Sequence, residues 1–179
     1  MTADLGLLRE IDAQTFGQPG QRTFRLRMVG SGGETASTWL EKEQMQALSL
    51  AFKQMLGQLE YEAEPPRLVI EAFPPVASHD FRVGRMGMGF DASDRTVILY
   101  LYEVGLDEED EATLRARLSQ EQCAWMSTIL DEIIAGGRPL CALCGMPIDT
   151  RGHMCVRTNG HSTQPIPEET DDSDDEDED

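Results

Sequence analysis

One helical pattern occurs twice in this chain, and that repetition constrains the fold more than any other feature. Met45, Leu48, Phe52, Met55 and Leu56 recur at the three- and four-residue spacing of an amphipathic helix over residues 41–57. Cys123, Met126, Ile129, Leu130, Ile133 and Ile134 do the same over residues 119–135. A constant offset of 78 pairs Met45 with Cys123, Leu48 with Met126, Ser49 with Ser127 and Phe52 with Leu130. The approach to each helix matches too: Leu40-Glu41-Lys42-Glu43-Gln44 stands against Leu118-Ser119-Gln120-Glu121-Gln122. Ser119 with Gln122 three residues on forms a capping box, and Gly136-Gly137 ends the second helix. Internal similarity of this kind is an architectural signal, because a missed repeat misassigns the whole fold.

Around the helices the period changes from 3.6 to 2. Phe24, Leu26 and Met28 alternate with Arg25 and Arg27 over residues 22–29, Ser31-Gly32-Gly33 turns the chain, and residues 35–40 follow. Residues 81–89 and 95–104 flank the turn Asp91-Ala92-Ser93-Asp94, and Leu114, Ala116 and Leu118 alternate with Arg115 and Arg117 over residues 113–118. Residues 68–73, bracketed by Pro65-Pro66 and Pro74-Pro75, suit an edge strand or a connector. Arg22-Thr23-Phe24 also stands against Arg95-Thr96-Val97. These patterns predict an α+β body over residues 1–137: two strand–strand–strand–helix units whose strands form antiparallel sheet, with both helices packed on it.

The charge is uneven. Of a net −18, residues 168–179 contribute ten acids and no base, which leaves −8 for residues 1–167. Such a block cannot bury enough apolar surface to order itself, so residues 163–179 are expected to be a disordered acidic tail. It serves as a solubility tail, or as a lure for a basic partner or a shield against nucleic acid. The second acidic run, 107–111, reads as a solvated loop. No apolar run approaches the roughly 18–20 residues of a membrane helix. The amino terminus has no basic-then-apolar signal layout, so a cytoplasmic location is expected. Thirteen of the 15 basic residues are Arg. Arg25, Arg27, Arg115 and Arg117 could line one sheet face for an anionic ligand; pairing with nearby acids is the expected alternative, since net negative bodies rarely bind nucleic acid.

The legible chemistry lies in residues 138–162. Four cysteines are too few for a disulfide scaffold, but three of them cluster here with two of the three histidines. Cys141-Ala142-Leu143-Cys144-Gly145 is a turn that presents two thiolates to one ion, with Gly145 freeing the backbone so that its amides can face sulfur. Cys155 follows and then His161, which Asn159-Gly160 could fold back toward the site; His153 lies two residues before Cys155. The expected shell is Cys141, Cys144, Cys155 and His161, with His153 as substitute or support. With few large apolar residues, the segment needs the metal in order to fold, and structural zinc contributes about 10–16 kcal/mol in such cases. A zinc knuckle with structural Zn2+ is therefore expected. A catalytic metal usually keeps one position open for water, whereas this segment offers more ligands than one ion can use. The deaminase pattern is broken, because Leu140 separates Pro139 from Cys141 and no His-x-Glu lies upstream.

Other motifs carry no chemistry. Gly87-Met88-Gly89 resembles a dinucleotide loop, but a strand follows where a helix is required. Residues 30–33 are not followed by the Lys-Ser/Thr pair of a phosphate loop. Cys123 falls on an apolar helix face, His79 has no partner nucleophile, and Trp39 and Trp125 read as packing.

Three segments together resemble one poorly characterised bacterial family, known as ParJ-like. They are Gly-Gln-x-Gly-Gln-Arg-x-Phe (residues 17–24), Glu41-Lys42-x-Gln44, and the ending Cys-x-x-Cys-Gly…Gly-His-x-Cys-x-Arg-x-Asn-Gly-His (residues 141–161). The resemblance spans residues 5–161, with Val156 where the family usually has Pro, and excludes the acidic tail. It implies a cytoplasmic accessory protein without established enzymatic activity, one that modulates polymerisation of a ParA-type segregation ATPase. The expected function is thus a non-enzymatic zinc-binding module acting through a protein partner. The alternatives are an anion or nucleic-acid binder, or a zinc-dependent enzyme of unrecognised site.

Overall fold

The computed structural model describes residues 1–18, 21–68, 70, 72–136, 141, 143, 144 and 155. The chain divides into two compact units, Met1–Arg138 and Pro139–Asp179. The first unit holds β1 (Ala3–Phe16), β2 (Thr23–Gly30), β3 (Thr35–Leu40), α1 (Lys42–Gln58), β4 (His79–Asp91), β5 (Thr96–Glu103), β6 (Leu114–Leu118) and α2 (Gln120–Ala135). It is an α+β unit with six strands and two helices, and the order strand–strand–strand–helix runs through it twice.

The strands close into a barrel in the order β1-β2-β3-β4-β5-β6. Within each half the pairs are antiparallel, but β3 pairs with β4, and β6 with β1, in parallel. This corrects the expected antiparallel sheet, and the reason is strand parity. Three strands leave the chain at the end opposite to its start, a helix carries it back, and the next unit begins alongside in the same direction. Closure also removes both sheet edges.

The registers equate the halves residue by residue. Phe24, Leu26 and Met28 face Leu40, Thr38 and Ala36, just as Val97, Leu99 and Leu101 face Leu118, Ala116 and Leu114. A register shift interrupts β1 between Leu8 and Glu10 and interrupts β4 between Val83 and Arg85, the corresponding place.

β1 was not among the expected strands. Its buried residues Leu5, Leu8 and Ile11 recur every three positions, which is not a strand period. Two irregularities account for the spacing: the shift after Leu8, and another between Asp4 and Leu7. At the second, Gly6 adopts φ +64° and donates its amide to Asp4 Oδ1 at 2.8 Å. Each extra residue turns a spacing of two into three. Of the two readings of residues 68–73, the edge strand is corrected and the connector stands: residues 68, 70, 72 and 73 lie in no strand but in the connection between α1 and β4. The Pro pairs that bracket it remove amide donors at both ends.

One apolar core fills the barrel and continues into the helices through Met45, Leu48, Phe52 and Leu56 of α1 and Cys123, Met126 and Leu130 of α2. The helices pair where their small equivalent residues meet, with Ser49 Oγ 3.3 Å from the Ser127 carbonyl oxygen and 2.7 Å from Asp131 Oδ1. Lys53 closes the contact on the other Asp131 oxygen. At each helix start a glutamine takes the amide of the capping residue: Glu41 N to Gln44 Oε1 at 2.8 Å and Ser119 N to Gln122 Oε1 at 2.9 Å. The same glutamines donate onward, to the Val83 and Leu8 carbonyls, each at 2.9 Å.

Candidate metal centre

In the second unit, Cys141, Cys144 and Cys155 bring their sulfurs within 4.8 Å of one another. Cys141 and Cys144 are half-buried and Cys155 is buried. The amides of Cys144 and Leu143 point at the Cys141 sulfur and pull its pKa down to about 6, with the Cys144 and Cys155 thiols adding to the effect. Cys141 is therefore largely thiolate at neutral pH, the form that ligates a metal. Its sulfur lies 3.8 Å from that of Cys155. A tetrahedral ion with metal–sulfur bonds of about 2.3 Å has an edge of about 3.8 Å, so this pair already sits at ligand spacing. These three residues could hold one metal ion. The other two expected ligands, His153 and His161, lie outside the described residues, as do Gly145 and the acidic tail.

Cys123 is placed quite differently. It is fully buried in the core, where burial, aided by the nearby charge of Glu121, pushes its thiol up to about 12. It is a core residue.

The four strand arginines are all engaged. Arg27 forks onto Asp12, through Nε to Oδ1 at 2.8 Å and through Nη2 to Oδ2, and its guanidinium lies 5.1 Å from the centre of the Phe73 ring. The Asp12 hydrogen bonds raise its pKa, against the lowering effect of burial. Arg115 pairs with Asp4 at 3.5 Å and Arg117 with Asp94 at 2.8 Å. Arg25 takes an amide instead, Gln14 Oε1, and lies over the adjacent Phe16 and Trp39 rings, 5.0 and 5.3 Å from their centres. Gly87 and Gly89 lie within β4, backed by the Tyr100 ring, so the apparent dinucleotide loop is a strand segment.

In the sequence Arg22 reads as the start of a strand pattern and has no role of its own. In the structure its guanidinium sits against the end of α2, 3.4 Å from the Ile133 carbonyl oxygen, where positive charge is favoured. Gly136, at φ +66°, caps the same helix, and a Cβ there would strike that guanidinium. A basic residue far from the helix in sequence gives no local signal of this role.

A family described as "Protein of unknown function (DUF3090)" matches residues 5–155. The chain belongs to this family. The DUF3090 match opens in β1 and closes on Cys155, so it takes in all six strands, both helices and all three clustered cysteines. No curated protein and no solved structure matches the chain. Among the described residues of this DUF3090 member, no helix is long and apolar enough to cross a membrane.

Proposed function

We propose that this chain is a non-enzymatic accessory protein of the cytoplasm, built on a duplicated strand–strand–strand–helix unit and a structural zinc knuckle, and acting through a protein partner. The observation that carries the zinc reading is the cysteine cluster: three sulfurs converge, one pair at tetrahedral-edge distance. Three thiolates and one imidazole close the shell of a zinc ion and leave no position for a reactive water. His161 supplies the fourth ligand, with His153 as its substitute. The duplication reading is supported by the matched registers and by the equivalent Gln44 and Gln122 bonds.

The ParJ-like resemblance makes a ParA-type segregation ATPase the first partner to test. Three of the four guanidiniums, those of Arg27, Arg115 and Arg117, are already paired with carboxylates, which counts against an anion-binding face on the Arg-bearing strands. X-ray absorption on chain purified without chelator is expected to show one zinc with three sulfurs and one nitrogen. A light oxygen ligand would reopen catalysis, and no metal would overturn the reading. Cys141→Ser is expected to lose the zinc and to open residues 139–161 to proteolysis. Light scattering then tests whether the zinc-loaded chain changes ATP-driven polymerisation of the ATPase, a change absent with Cys141→Ser.

A further inference from the structure

The two halves of the barrel differ at one pair of corresponding places. The registers equate Ile11 and Ala13 of β1 with Met86 and Met88 of β4. The helix offset equates Trp125 and Ile129 of α2 with Ala47 and Ala51 of α1. α2, which carries the two large side chains, packs along β1; α1, which carries the two alanines, stands further from β4. The difference leaves an apolar slot of about 160 Å3 between Ala47 and Ala51 on one side and Met86 and Met88 on the other, with Leu48 and Leu99 beneath. An apolar cavity of roughly 150 Å3 takes up a benzene ring. Ala47 is exposed, so the slot opens to solvent.

We propose that this slot receives one bulky apolar side chain, of the tryptophan, phenylalanine or leucine class, presented by a basic segment of a protein partner. The proposal rests on the partner reading above and names its docking point. Three observations support it. The helix position that corresponds to Ala47 in the other half carries Trp125, which is half-buried. One wall is methionine, Met86 and Met88, whose unbranched, polarisable side chains adapt to varied apolar partners. The chain carries −18 overall and −8 without its last twelve residues, which draws basic segments toward it. A large apolar side chain buried in a well-packed, desolvated pocket is the usual anchor of an interface hot spot.

The test uses the full zinc-loaded chain with 13C-methyl-labelled methionines, of which there are nine. It is titrated with N-acetyltryptophanamide, and separately with a Lys-rich peptide bearing a single Trp and with the same peptide bearing Ala. The Met86 and Met88 methyl signals are expected to shift saturably with the amide and with the Trp peptide, and at least tenfold more weakly with the Ala peptide. Ala51→Ile, which places in the slot the residue that the helix offset puts at position 129, is expected to lose the response while keeping its zinc and its circular dichroism. Leu50→Ala, on the exposed side of α1, is expected to keep it. No methyl shift with any probe at millimolar concentration overturns the proposal, as does an undiminished response in a folded Ala51→Ile. A response to the amide with no preference for the Trp peptide assigns the slot to a free small molecule and also overturns it. Polymerisation of the ATPase is read on the same variants. A chain without effect on polymerisation counts against the ATPase reading, whereas an effect that survives in Ala51→Ile counts against the slot.

Discussion

Gln122 makes two hydrogen bonds that no smaller side chain can make: its oxygen takes the Ser119 amide and its nitrogen reaches the Leu8 carbonyl, both at 2.9 Å. Gln122→Ala would leave a buried strand carbonyl and a helix-start amide unpaired, so the expected cost is about 1–3 kcal/mol. A fall in the urea midpoint at unchanged slope would show it. Gln44→Ala is expected to cost less, because Gln44 is only half-buried. Cys123 supports a second expectation. With its thiol fully buried and pushed up to about 12, it should resist Ellman's reagent in the native chain and react only after unfolding, whereas Cys141 in the metal-free chain reacts at once. Much at this scale was legible from sequence. The Glu-Gln pairs at both helix starts and the apolar placement of Cys123 are local features, read from neighbours within one helical turn. The strand carbonyl that each glutamine reaches is not local, and no spacing announces it.

At the scale of elements, α2 ends under two constraints at once. Gly136 is left-handed and its missing Cβ leaves room for the Arg22 guanidinium. Gly136→Ala is therefore expected to lower stability by about 1–2 kcal/mol, and Arg22→Ala in the same chain should recover part of the loss, giving a nonzero coupling in a double-mutant cycle. α2 was predictable in extent because its apolar stripe, capping box and glycine stop all agree, and α1 from its apolar stripe and the start it shares with α2. β1 was not, because its irregularities give Leu5, Leu8 and Ile11 a three-residue spacing that belongs to no regular element. The Arg residues of β2 and β6 were correctly placed on strands, but their partners came from β1 and from the turn that holds Asp94.

At the scale of the whole molecule, the chain consists of a barrel unit with its own core and a second unit whose cysteines converge. Removal of metal should therefore act locally. Chelation is expected to raise hydrogen exchange and protease sensitivity in residues 139–161, while the barrel's melting transition moves little. A collapse of both together would show that the barrel depends on the metal. The closed order of the strands supports this expectation: it leaves no strand edge unpaired, and the unit buries one continuous core.

The sequence by itself determined the elements whose signals repeat within a turn or a pleat: both helices, the capping box and glycine stop of α2, five of the six strands, and the three cysteines set to meet. Only the tertiary structure decided what depends on residues far apart in the chain. It decided that the strands close into a barrel with two parallel joints, that β1 completes it, that arginines on β2 and β6 are engaged rather than free, and that one half leaves an apolar slot where the other carries a tryptophan. The division has a physical cause. Periodicity and capping are set by backbone geometry over a few residues, whereas closure, ion pairing and packing are settled only when distant segments compete for the same space.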